Sequence, residues 1–568
     1  MKKLFMMALV CLCFSTICYS QSYIIQDSVM IRTADGHLLS AVVVRKDGIN
    51  RRLPAALMFF IYSNTNRSIQ EAKYAADRGY VGIVADTRGK RLSPDTVAPY
   101  ENEVKDVNEV ISWIVKQPWS NGKVGMYGGS YSGFAQWAAL KTPHPALKTI
   151  IPYVAAIPGQ GLPMENNIFL NANYQWAFYV TNNKLLDNGV NEDNARWRSM
   201  RLNWYKSGAA YNKIDSIDGT RNPWLQKWLL HPDYDQYWQS MVPYGRDFEK
   251  IDIPILSITG YYDDGQISAL QYLTEHYKYK PKADHYLIIG PYDHYGAQKG
   301  GVPVLNGYRV DSVALINTRE LTFSWLDYIL KEGPKPFILK DKINFEVMGA
   351  NEWQHAPSIS AMSTKRLKLY LTSQKSGEYY VLSSLPLMKS GYNNQLVDFA
   401  DRETENNDYY PNPIIKDTLD KSNGLFYISE PFQHEVTLSG LFSGHLVASL
   451  NKKDMDIGVV LYEITPEGKY FELSYFIGRA SYLKDATTRH LLHPGKKEVL
   501  RFTKTRMVSR RLQKGSRLMV VLNVDKNSFA QINYGTGKEV SKETILDAKE
   551  PLRIKWFNES YIEVPLKE

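Results

Sequence analysis

Gly128-Gly129-Ser130-Tyr131-Ser132-Gly133 decides how this chain is read. It follows the short apolar run "KVGMYG" (123–128) and leads into "YSGFAQWAALK" (131–141), so a strand enters it and a helix leaves it. A serine on so sharp a strand-to-helix turn has its hydroxyl lifted out of the sheet. Helix N-terminal amides then face any oxyanion that forms beside it. Small neighbours are required because strand and helix approach closely. The strict G-x-S-x-G spacing asks for glycine at 132, whereas this chain has Ser132, with its glycine at 133. Ser132 is the weaker nucleophile candidate, because it lacks a glycine two residues before it.

The flanking sequence alternates strand and helix signals. "DSVMIRTADGHLLSAVVVRK" (27–46) gives two β-rich stretches about Asp35-Gly36, a hairpin signature. "LPAALMFFIY" (53–62) is continuously apolar, as a strand buried on both faces is. A helical stretch (68–78), the strand "YVGIVAD" (80–86) and a helix over 102–117 follow. That last helix has Val104, Val107, Val110, Ile111 and Ile114 at helical spacing. "PILSITG" (254–260) and "HYLIIG" (285–290) add two strands around a helix near 266–279. This order predicts a parallel, doubly wound sheet, and with the elbow an α/β-hydrolase fold.

Its two parts span 21–155 and 251–335. Between them, 156–250 carries Trp176, Trp197, Trp204, Trp224, Trp228 and Trp238 on amphipathic stretches without a clear buried strand, which predicts a mostly helical cap. These tryptophans read as core, with the lining of an apolar acyl pocket by one or two of them as the alternative. A helix over 316–331 closes the domain, with Gly333, Pro334 and Pro336 as linker. From 343 to 568 short alternating runs such as "INFEVMG", "RLKLYLT" and "IGVVLYEI" predict an antiparallel β-sandwich.

A chain of 568 residues exceeds one hydrophobic core, and 44% hydrophobic with 22% charged residues is ordinary for a globular protein. Lys2 and Lys3, the apolar run 4–17 and Cys18-Tyr19-Ser20 before Gln21 predict a signal peptide over 1–20, hence export to the periplasm or beyond. Cys11, Cys13 and Cys18 all lie inside it. The mature chain therefore has no disulfide, cysteine nucleophile or cysteine-ligated zinc. No later apolar run is long enough to span a membrane. The formal charge of +9 includes Lys2 and Lys3, and no basic run interleaved with aromatics marks a nucleic-acid partner. Homo-oligomerisation is left open.

A serine hydroxyl needs a base and an orienting carboxylate, which in this fold follow it in the order acid, then histidine. Gly260-Tyr261-Tyr262-Asp263-Asp264 follows the strand "PILSIT", and Gly290-Pro291-Tyr292-Asp293-His294 follows "HYLII". Asp263 and His294 are the candidates. Asp264 and Asp293 are the rival acids, and His285, His276 and His231 read as structural or surface residues.

Together these segments resemble the cocaine esterase and X-Pro dipeptidyl-peptidase (CocE/NonD) family, which includes α-amino-acid ester hydrolases and glutaryl-cephalosporin acylases. Its G-x-S-Y-x-G elbow matches 128–133, its G-x-Y-D segment matches Asp263, and its G-P-x-x-H segment matches His294. "DTRGKRLSP", "HPDYDQYW", "VMGANEWQ" and "ISEPFQHEVTLSG" also look like family segments, so the resemblance runs nearly the whole length.

It implies a Ser130–His294–Asp263 triad cleaving an ester or amide through an acyl-enzyme, and a C-terminal domain of jelly-roll type. It also implies an oxyanion hole from the Tyr62 hydroxyl and the Tyr131 amide. Ile61 stands where the family usually has proline. No cofactor or metal is implied, and the expected substrates are small esters, amides or short peptides.

Relatives that bind an α-ammonium carry acids two and three residues after the catalytic Asp, where this chain has Gly265 and Gln266. Glu165 is the remaining acidic candidate for substrate binding, and otherwise reads as a solvated surface residue. Two alternatives stand beside ester or amide hydrolysis. One is an X-Pro dipeptidyl-peptidase, and the other is a non-catalytic peptide- or glycan-binding protein on a hydrolase scaffold.

Overall fold

A computed structural model describes residues 22–407 and 409–567. The expected signal peptide lies outside the described residues. The first sheet has ten strands. In chain order they are β1 (Tyr23–Arg32), β2 (Leu38–Lys46), β3 (Leu53–Phe60), β4 (Val81–Asp86), β5 (Ser120–Gly129), β6 (Leu147–Tyr153), β7 (Ile255–Tyr262), β8 (His285–Asp293), β9 (Ile343–Val347) and β10 (Glu352–Ala356). They lie side by side as 1-2-4-3-5-6-7-8-9-10. From β4 to β9 every neighbouring pair is parallel, while β1, β2 and β10 pair antiparallel at the margins.

Position in the sheet explains composition. β3 lies between β4 and β5 with all eight residues buried, which is why it reads as an unbroken apolar run, while the margin strand β1 is largely exposed. Helices α1 (Thr65–Asp77), α2 (Glu103–Val115) and α3 (Tyr131–Ala139) follow β3, β4 and β5 as crossovers. The Asn64 side chain caps α1 by accepting from Arg67 N–H at 3.1 Å. In α3 all nine residues are buried.

Two sequence expectations are corrected here. β6 is absent from the sequence reading, although "LKTIIPY" is apolar, because a short apolar run alone does not tell a buried strand from a buried helix segment. Residues 343–349 were expected to open the sandwich, yet β9 extends the first sheet beside β8. A short apolar strand carries no mark of which sheet it joins, and β9 is buried throughout.

Between β6 and β7 stand a two-residue hairpin (Met164–Glu165 with Ile168–Phe169) and a run of helices, the longest being α4 (Ala172–Thr181) and α5 (Asn194–Ser207). α6 (Gln266–Tyr279) and α7 (Thr318–Lys331) complete the first domain. From Lys365 to Lys567 the chain forms a second, almost wholly antiparallel β-rich domain.

The cap-entry segment is tied to that domain. Asn171 N–H donates to Phe529 O at 2.8 Å, Gln531 N–H to Phe169 O at 3.0 Å, and Asn166 Nδ2 to Ile477 O at 2.7 Å. The second domain therefore anchors the entry of the cap.

Candidate active site

Ser130 sits between β5 and α3 at φ 58°, ψ −118°, a left-handed conformation that a non-glycine residue adopts at a cost and usually for function. Close packing accounts for the glycines around it. A Cβ at Gly133 would lie 2.8 Å from Ala155 Cβ and 2.9 Å from Tyr153 O. At Gly128, where φ is +132°, it would lie 2.8 Å from Ser132 Cβ. Ser132 itself is buried, its Oγ without a partner among the described residues, whereas Ser130 is half-buried.

Asp263 follows β7 and His294 follows β8, so adjacent strand ends carry the acid and the histidine. His294 Nδ1 lies 2.9 Å from Asp263 Oδ1 and 3.1 Å from Asp264 Oδ1. Asp263 is fixed by Thr259 Oγ1, donating to its Oδ2 at 2.6 Å, and by Gly265 N–H, donating to Oδ1 at 3.0 Å. Asp263 is fully buried; Asp264 is more than half exposed. His294 Nδ1 and one oxygen of each carboxylate lie within 4.8 Å of one another, because the imidazole sits between the two acids.

The histidine loop packs on the elbow. A Cβ at Gly129 would lie 2.3 Å from Gln298 Oε1, and Gln298 Nε2 donates to His294 O at 2.8 Å. Among the described residues Ser130 and His294 make no direct hydrogen bond. The polar neighbour of Ser130 Oγ is the Tyr62 hydroxyl at 3.4 Å, brought there from the end of β3.

The charges are coupled. Burial pushes the Asp263 carboxyl upward, against the lowering effect of its bond to His294. Desolvation opposes charge on His294 too, but Asp264 and Asp263 outweigh it and raise the imidazole well above its ordinary value. For Asp264 desolvation is outweighed in turn by His294, and the carboxyl is lowered.

Beneath the elbow, the Tyr131 hydroxyl donates to Glu103 Oε1 and accepts from Tyr100 N–H at 3.1 Å. Burial pushes the Glu103 carboxyl up to about 8. Glu103 was not singled out in the sequence. Its helical spacing from Val107, Val110 and Ile114 puts it on the buried face of α2, and that was the available signal.

Glu165 is not a solvated surface residue. It is 2% exposed, and Arg506 of the second domain holds it through two hydrogen bonds of 2.8 and 2.9 Å. Arg506 Nη2 also donates to Asp264 O at 3.2 Å. The partner lies 341 residues along the chain, so no local pattern announced it. His276 and His285 are buried against each other, 3.2 Å apart, and His231 bonds Asp235; among the described residues none of the three bonds Ser130.

Strand order, elbow and the acid–histidine pair define an α/β-hydrolase of the serine hydrolase class. Residues 35–296 match the family described as X-Pro dipeptidyl-peptidase (S15 family), and 340–552 match the X-Pro dipeptidyl-peptidase C-terminal non-catalytic domain. Cocaine esterase of Rhodococcus sp. (strain MB1 Bresler) is 24% identical over 524 residues, covering 84% of this chain and 86% of that protein. Two solved structures share the fold. An aminopeptidase from a marine sediment Thaumarchaeota archaeon has a TM-score of 0.78 at 19% identity, covering 96% of this chain and 97% of its own. An α-amino acid ester hydrolase has 0.77 at 21%, covering 100% and 98%. The chain belongs to the CocE/NonD X-Pro dipeptidyl-peptidase family of serine hydrolases.

Proposed function

We propose that the protein is an exported hydrolase that cleaves an ester or amide of an uncharged acyl group, with Ser130 as nucleophile. The observation that carries this is the 2.9 Å bond between His294 Nδ1 and Asp263, set on a loop that packs against the strained Ser130 elbow. His294 takes the Ser130 proton as the oxygen attacks the carbonyl, and Asp263 stabilises the imidazolium. The Tyr62 hydroxyl and the Tyr131 N–H receive the oxyanion. His294 then returns the proton to the leaving group, and water, deprotonated by the same imidazole, releases the acyl-enzyme.

The preference for an uncharged acyl group rests on Glu165, whose charge Arg506 already compensates. The X-Pro dipeptidyl alternative, suggested by the family description, needs an uncompensated acid for a free amine. Export rests on the reading of residues 1–20.

The test is fluorophosphonate labelling of the mature protein beside Ser130→Ala, read by intact mass. One adduct on wild type and none on the variant is expected, with faster release of p-nitrophenol from a simple ester than of p-nitroaniline from Gly-Pro anilide. A folded wild type that takes no adduct overturns the assignment of Ser130.

A further inference from the structure

We infer that Trp176, on cap helix α4, is a positioning residue for the oxyanion donor. Its indole N–H takes the Tyr62 hydroxyl oxygen as acceptor and leaves the single phenolic proton for the side of Ser130. This rests on the proposed oxyanion role of Tyr62.

The direction of the bond is fixed by chemistry. Trp176 Nε1 lies 3.0 Å from Tyr62 Oη, and an indole nitrogen donates and never accepts. Tyr62 is therefore the acceptor there, and its own proton goes elsewhere. The other polar neighbour is Ser130 Oγ at 3.4 Å. In the free enzyme the proton points to that side, and in the tetrahedral intermediate it is donated to the oxyanion. An O–H whose oxygen already accepts a hydrogen bond is the stronger donor, because successive bonds polarise one another.

The indole is held by the same elements that hold the nucleophile. It stacks on Tyr100 (5.3 Å between centroids, 19° between planes), on Tyr131 (5.9 Å, 29°) and on Trp228 (6.3 Å, 26°). Tyr131 is the first residue of α3, directly after Ser130. The N–H is thus referenced to the elbow through a ring carried by the elbow. α4 is fixed at its start by the Asn171 bond to Phe529 O, and in its first turn by Asn222 Nδ2, donating to Tyr174 O at 2.9 Å. The cap reaches the reaction centre through this bond.

The test is a double-mutant cycle on p-nitrophenyl ester hydrolysis. Trp176→Phe removes the N–H and part of the stack. Replacing Trp176 by 3-benzothienylalanine removes the N–H and keeps the ring. Each lowers kcat about tenfold with KM little changed. Tyr62→Phe lowers kcat about a hundredfold. Combined with Tyr62→Phe, neither Trp176 change has a further effect. A full tenfold loss on the Tyr62→Phe background, or an undiminished kcat in the benzothienyl variant, overturns the proposal. Fluorophosphonate labelling of Ser130 in every variant reports folding and the nucleophile independently. An unchanged kcat in labelled Tyr62→Phe removes the oxyanion reading and this inference with it, and leaves Ser130 as the nucleophile.

Discussion

Arg506 grips Glu165 through two parallel hydrogen bonds, joining the antiparallel β-rich domain to the hairpin that opens the cap. Both side chains are only 3% exposed, so the pair has left water completely. A buried pair is weak evidence for stability as a pair, but breaking it strands a charge.

Arg506→Met is expected to destabilise the protein by about 3–5 kcal/mol, because Glu165 is left without a counter-charge. Combining it with Glu165→Met restores most of that loss, since a well-packed apolar pair of similar volume is tolerated. Urea unfolding followed by tryptophan fluorescence reads both. A double variant no more stable than the single one shows that the cost lies in lost packing of Arg506 over the Tyr475 ring, 3.7 Å below it.

Glu103 gives stability a pH dependence that runs opposite to an ordinary surface carboxylate. Its folded value of about 8 lies above its ordinary 4.5, so the folded state keeps a proton that the unfolded chain loses. Its contribution is present below 4.5 and is lost as pH rises toward 8, each unit being worth about 1.4 kcal/mol. Glu103→Gln keeps an acceptor for the Tyr131 hydroxyl and cannot ionise. The expected outcome is a wild type that loses stability relative to this variant between pH 5 and 8, measured by unfolding at both. Parallel pH dependences contradict it.

The sequence disclosed what local pattern controls. The elbow, the hairpin at Asp35-Gly36, the fully buried β3 and the strand ends carrying Asp263 and His294 were all legible, because turn chemistry and apolar periodicity are written within a few residues. Long-range choices were not. β9 is five buried residues that suit either sheet, and only its pairing with β8 decides. Glu165 resembled any surface glutamate until Arg506 met it. Trp176 read as core because nothing near it indicates that its N–H faces Tyr62.

His294 supplies the last prediction. A histidine acting as base must be neutral to accept the Ser130 proton, and two carboxylates within 3.1 Å hold this one well above its ordinary value. The acid limb of kcat/KM is therefore expected above that of an ordinary histidine, with activity lost as pH falls through the raised value. Asp264→Asn removes the larger of the raising charges, so the limb moves to lower pH while the alkaline plateau is kept. Asp263→Asn should behave differently. Its carboxylate is the one fixed by Thr259 and Gly265, and an amide there favours the wrong imidazole tautomer, at a cost of about ten-thousandfold in kcat. A kcat/KM–pH profile of the three proteins separates these roles. If Asp264→Asn collapses kcat and Asp263→Asn only shifts the limb, Asp264 is the orienting carboxylate.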